Sequence, residues 1–269
     1  HESVILSFKN SKKDIEARIS PFFGSNIYRF KYNGMDIFHC DLNRLKDRDW
    51  TGCFILWPLP NRVRNKIFEF EGKTYDLTPI KRKRGNYPLI HGLVDDKIWK
   101  IGEIKKTNET ITATTFIEIL PGTEIYKYFP FESKLKLTFR LNGDGLKIQY
   151  KVKNNSKKKL PYGFALHPYF SVFSGKTNIK IKVPAKRVME TDKELLPTGK
   201  MIDVLNNDYD LHQATTVNKL SLDHVYTDLD ESKIPFIDYT DKRLRVHLES
   251  STDFTHLVVY TKEDSYFCL

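Results

Sequence analysis

Long apolar runs are missing from this sequence. No segment approaches the roughly 20 uninterrupted apolar residues of a membrane-crossing helix, so neither a spanning element nor a membrane partner is expected. The opening, HESVILSFKN, carries charge from the start and shows no signal-peptide pattern, which suits a cytoplasmic protein. Cysteine is scarce. Cys40, Cys53 and Cys268 are the three in 269 residues, too few and too irregularly spaced for a metal site or a disulfide framework, and they are expected as free buried thiols. Helical patterning is lacking too: no stretch of twelve residues holds a helical apolar stripe, and twelve prolines interrupt nearly every candidate. Acidic residues are outnumbered, 34 against 44 Lys and Arg, giving a net charge of +10. Such a balance raises nucleic acid as a partner. The cations are scattered, however, with two short runs, Lys81-Arg82-Lys83-Arg84 and Lys157-Lys158-Lys159. Neither is interleaved with aromatics, and no zinc-finger, RNP or helix-turn-helix pattern accompanies them, so solvated loops and no nucleic-acid partner are expected.

What is present is a period of two. Leu135, Leu137, Phe139 and Leu141 alternate with Lys136, Thr138 and Arg140, while Leu146, Ile148, Tyr150 and Val152 alternate with Lys147, Gln149, Lys151 and Lys153. Between them lies Asn142-Gly143-Asp144-Gly145, where glycine supplies the positive φ of a tight hairpin. Asn33-Gly34 predicts a second hairpin between 27–32 and 35–38. Further alternation at 179–183 and 244–248 predicts strands, and the apolar stretch 256–260 a more buried one. Strands with one apolar face and one rich in Lys, Thr and Glu suit antiparallel sheets packed face to face. With no repeat, low-complexity tract or linker, the expectation is a single all-β domain over 1–269, a large antiparallel β-sandwich.

Four segments break the period. Trp57-Pro58-Leu59-Pro60-Asn61-Arg62 places an amide and a guanidinium after two prolines, a donor set suited to hydroxyls or an anion, or else a loop whose arginine makes a structural ion pair. Leu89-Ile90-His91-Gly92 and Ala165-Leu166-His167-Pro168-Tyr169-Phe170 each present a histidine, able to act as acid, base or donor, or to sit satisfied in a core. Leu222-Asp223-His224-Val225-Tyr226 offers a carboxylate, as hydroxyl acceptor or ion-pair partner. Taken singly, none is specific.

In this order they carry a resemblance. PNR at 60–62, FEFEGKTYDL at 68–77, HG at 91–92 with Trp99 after it, GFALHPYF at 163–170, LPTGK at 196–200, LDHVY at 222–226 and the closing HLVVYTKEDSYFCL together resemble the aldose 1-epimerase (galactose mutarotase-like) family. The resemblance runs from about residue 24 to the end of the chain. It implies a supersandwich fold and roles position by position. Arg62, with Asn61 beside it, matches a substrate-binding arginine, and His91 a histidine that contacts the sugar. His167 matches the histidine that protonates the ring oxygen, and Asp223 an aspartate that accepts from sugar hydroxyls. Trp57, Tyr169 and Phe170 are candidates for the sugar's apolar face. The family's general-base glutamate ordinarily follows F-C-L directly, and this sequence stops at Leu269; the base is therefore expected just beyond it, Glu249 being the first substitute among the carboxylates present.

The resemblance implies an isomerase that interconverts the α and β anomers of a hexose. Ring opening needs one group to take the C1 hydroxyl proton and another to protonate the ring oxygen, so a histidine and a carboxylate suffice and neither cofactor nor metal is implied. The partner is a small sugar, free or phosphorylated. Lys81–Arg84 with Arg64 would suit a hexose 6-phosphate, and a non-catalytic sugar-binding protein on the same fold is the remaining alternative. Either a monomer or a homodimer fits.

Overall fold

The alternating segments become paired strands. The structure, a computed structural model, describes residues 3–80, 89–205 and 207–269, and the chain divides into two compact units, up to His167 and from Pro168 onward.

In the first unit, one sheet orders Val4–Lys9, Asp14–Ser20, Asn26–Tyr32 and Cys53–Leu56, with Met35–Asp36 on Asn26–Tyr32. A second orders Gly145–Asn154, Ser133–Asn142, Ile111–Ile119 and Lys100–Lys106. Val4–Lys9 packs on the central strands of that second sheet, which makes the unit a sandwich. Its core comes from the inward half of each alternation: Leu6, Ile15, Ala17 and Ile19 from one sheet, Leu135, Leu137, Phe139 and Leu141 from the other, all at 0–1% exposure. Burying such side chains contributes about 1.5–3 kcal/mol each.

The second unit is likewise antiparallel. Tyr266–Cys268, His256–Tyr260, Asp223–Leu229, Ala185–Thr191 and Pro197–Asp203 follow one another in one sheet. Thr215–Thr216, Ile179–Lys182, Phe236–Tyr239 and Leu244–His247 form another. The α-helix among the described residues, Leu42–Lys46, is five residues long and capped by the Asp41 carboxylate. No described helix is long and apolar enough to cross a membrane.

Both hairpins form. Asn33 and Gly34 take φ of 47° and 81°, the left-handed pair of a two-residue turn. In the other, Asn142 faces Gly145 across the turn and its side chain accepts the Asp144 N–H at 2.9 Å. Of its glycines only Gly145 has a positive φ; Gly143 lies close to Phe8, where a Cβ would sit 3.0 Å from the ring. One expectation is corrected. The strand His256–Tyr260 is not buried throughout: Val258 is 44% exposed while Val259 is at 0%, so this strand too has a wet face.

Candidate active site

Three of the four irregular segments lie together in the first unit, and backbone groups hold them there. The Trp57–Pro58 peptide is cis. The Trp57 carbonyl accepts the Leu93 N–H at 2.8 Å, and the Pro58 carbonyl accepts the Gly163 N–H at 2.7 Å. Val63 bridges Leu89, its N–H reaching the Leu89 carbonyl at 2.8 Å. The proline loop is therefore tied on one side to the segment of His91 and on the other to the segment leading into His167. Glycine is required at the first tie. Gly92 has φ +79°, and a Cβ on it would lie 2.4 Å from the Trp57 carbonyl oxygen. His91 precedes it at φ +67°, in the left-handed region that non-glycine residues rarely occupy and that recurs at functional positions.

This brings the two imidazoles together. The His91 and His167 rings meet edge to face, centroids 4.9 Å apart. Phe54, from the wholly buried strand Cys53–Leu56, stacks on His167 at 4.6 Å and contacts His91 at 5.3 Å. Trp50 closes the group, 4.3 Å from the His91 ring and stacked on Phe54 at 6.1 Å. Its indole N–H donates to Asp95 Oδ2 at 3.1 Å. Burial disfavours the charged imidazolium and pushes His167 down to about 4. At neutral pH it is a neutral ring with one donor and one acceptor nitrogen. Burial also pushes the Cys53 thiol up to about 12 and Cys40 to about 11, so neither supplies a thiolate nucleophile at neutral pH. All three cysteines are free. Beside the cluster lies a small recess, its walls including Arg48, Asp49, Trp50, Phe54 and Asp95.

Asn61 is exposed and its Oδ1 accepts the Arg62 N–H at 2.7 Å; Arg62 itself is half-buried. Asp223 stands in the second unit, at the start of Asp223–Leu229, with Lys262 Nζ 4.0 Å from its carboxylate. The aromatic candidates are packed away. Trp57 is at 0% exposure, Phe170 at 2% and Tyr169 at 6%, the last stacked on Tyr266 at 4.2 Å, which leaves little ring for a sugar. Trp99 is a core residue as well, its indole N–H donating to the Val94 carbonyl at 3.1 Å. Lys81–Arg84 lies outside the described residues, whereas Arg64 is exposed in a short turn. Glu249 is exposed, and among the described residues no cluster of three His, Cys, Asp or Glu could hold a metal. Trp50, Phe54 and Asp95 were not expected here. Phe54 sits in an apolar run that reads as core; Trp50 offered one cue, an indole N–H in a polar setting that calls for an acceptor.

Fold and site define an antiparallel β-sandwich protein with a half-buried histidine pair. The sequence matches the aldose 1-epimerase family over residues 6–268, and the chain belongs to that family. A galactose mutarotase-like protein from Clostridium acetobutylicum shares its fold at a TM-score of 0.84, over 99% of this chain and 87% of its own, with 24% identity. The galactose 1-epimerase from Lactobacillus acidophilus does so at 0.75, over 99% and 89%, with 13% identity. In sequence, the uncharacterized protein YihR of Escherichia coli is 30% identical over 175 residues, 64% of this chain and 53% of YihR. Human galactose mutarotase is 23% identical over 169 residues, 61% and 46% of the two chains. The alignments thus span about half the length of these curated relatives.

Proposed function

We propose that this protein is a mutarotase, interconverting the α and β anomers of a free hexose by acid–base ring opening and reclosure. The observation that carries the reading is the ring contact between His91 and His167, two imidazoles held 4.9 Å apart by Trp50 and Phe54. A sugar offers a ring oxygen and a C1 hydroxyl that need separate partners, and two imidazoles in contact can serve them. His167 serves the ring oxygen. A base removes the C1 hydroxyl proton, the electrons of the C1–O5 bond pass to O5, and O5 takes a proton from the imidazole. Rotation about C1–C2 and the reverse transfers close the other anomer. Donation of a hydrogen bond from the charged ring to an oxygen of the bound sugar raises His167 from about 4 toward working pH. His91, Asn61 and Arg62 hold hydroxyls.

The test is polarimetry on freshly dissolved α-D-galactose and α-D-glucose, with α-D-glucose 6-phosphate as a third substrate. The wild-type protein should speed the approach to anomeric equilibrium. His167→Asn should slow it by about 10²–10⁴-fold while leaving the fold intact, the usual scale of one acid–base group. His91→Asn should act mainly by raising KM. Undiminished turnover in His167→Asn would remove His167 from the mechanism. Sugar binding without any acceleration by the wild type would leave a binding protein in place of an enzyme.

A further inference from the structure

Strand register gathers cations that the linear sequence scatters. Residues 133–154 hold six of them against one carboxylate, Asp144, which is half of the chain's net charge of +10. Leu135, Leu137, Phe139 and Leu141 are fully buried, so Lys134, Lys136 and Arg140 point outward from the sheet. Pairing sets Lys134 opposite Lys153, Lys136 opposite Lys151 and Arg140 opposite Lys147. Lys100 and Lys105, on the far edge strand, join the same face through their partners Phe116 and Thr112.

Only part of this charge is neutralised. Glu118 takes Lys100 and Lys134, and Glu103 takes Lys105. Lys136, Arg140, Lys147, Lys151 and Lys153 have no carboxylate within ion-pair distance among the described residues. Like charges directly opposite destabilise a strand pair, and where Arg18 faces Arg29 elsewhere in the first unit a carboxylate serves both, Glu16 lying 2.8 Å from one guanidinium and 4.0 Å from the other. Lys9 faces Asp14 and binds it at 2.9 Å. Asp238 lies between Lys180 and Arg245 and accepts both forks of the arginine at 2.6 and 2.8 Å. The outward face of 133–154 holds no such carboxylate for these five cations among the described residues.

We propose that this outward sheet face docks on an anionic lipid bilayer, through the array of Lys136, Arg140, Lys147, Lys151 and Lys153. A planar array of cations fits a planar array of headgroups and needs neither a spanning segment nor an inserted helix. Four of the five are lysines, point charges rather than the planar forks that read a phosphate pair or a base edge. Single-stranded nucleic acid would need aromatic platforms. The aromatic on this face, Phe116, is half-buried with Lys134 Nζ 3.6 Å over its ring.

The experiment is co-sedimentation of the full chain with vesicles of phosphatidylcholine containing about one third phosphatidylserine, at low ionic strength, against pure phosphatidylcholine. The variant is Lys147→Glu with Lys151→Glu and Lys153→Glu, which turns all three opposed cation pairs into opposite-charge pairs. Its Tm should stay at or above that of wild type, so lost binding is not lost folding. Lys186→Glu with Lys193→Glu and Lys200→Glu, exposed on other strands and loops, makes the same change in net charge. Wild type should bind the anionic vesicles and not the neutral ones. The strand variant should lose about tenfold or more in partition, the control less than about threefold, and salt should weaken the binding. Failure of wild type to bind, equal loss in both variants, or retention on a single-stranded oligonucleotide at lower protein concentration than on vesicles would each overturn the proposal.

Discussion

Burial holds His167 at about 4, against about 6.5 for a free imidazole. Between those values the unfolded chain binds a proton that the folded chain refuses, so stability is complete above pH 6.5 and falls as pH drops toward 4. The difference of about 2.5 pKa values corresponds to about 3 kcal/mol at most. His39 and His224, also lowered mainly by burial, push in the same direction. Denaturant unfolding at pH 7 and pH 4.5 should therefore show a loss that shrinks in His167→Asn by about 2–3 kcal/mol; an equal loss in both proteins would mean that the ring is solvated. At this scale the sequence showed the two histidines, because a polar ring inside an apolar run stands out. It concealed their walls. Phe54 is an apolar residue among Cys53, Ile55 and Leu56, and nothing about its type separates a wall of the site from a wall of the core. Tyr169 was offered by its residue type, and its ring is at 6% exposure, stacked on Tyr266.

Hairpins were the most legible elements, since a period of two on both sides of a glycine turn determines partner and register together. Their faces were legible in principle as well, because Lys136 and Lys151 must share a face once Leu141 meets Leu146. Read linearly, the same lysines seemed scattered. The loops that build the site were not legible as structure, because their positions depend on single backbone bonds between distant segments. Gly92 shows how narrow that dependence is. Its φ of +79° and the 2.4 Å approach of the Trp57 carbonyl to a would-be Cβ mean that Gly92→Ala must distort both the His91 turn and the proline loop. A loss of about 1–3 kcal/mol is expected, the scale of a residue forced into a disfavoured backbone region. Because the distortion falls on His91, mutarotation should decline in folded protein too. A variant with unchanged Tm and unchanged turnover would show that the tie between these loops is dispensable. Gly34→Ala is the useful comparison: its φ is also positive at +81°, but nothing lies within 4 Å of its would-be Cβ, so its cost is conformational alone.

For the whole molecule, composition and period indicated an all-β chain, and the antiparallel sheets of both units agree. Periodicity says nothing about where one packed unit gives way to the next, because strands on either side of the boundary look alike. That boundary, between His167 and Pro168, falls inside the strand Ala165–Ser171. Ordinary domain boundaries fall in exposed linkers, where few contacts cross and each side can fold alone. Here Phe170 pairs with Phe267 and Ser171 with Tyr266, while three positions earlier His167 stacks on Phe54. One seven-residue strand thus contributes to both cores, and neither half of it is a linker. We therefore propose that residues 1–269 unfold as one cooperative domain. Calorimetry should give a single transition whose calorimetric and van't Hoff enthalpies agree. Urea unfolding followed by Trp fluorescence, whose three reporters Trp50, Trp57 and Trp99 all lie in the first unit, should coincide with far-ultraviolet circular dichroism from the whole chain. Two transitions, with the tryptophan signal following only one of them, would show that the strand is divisible and that the chain is two domains.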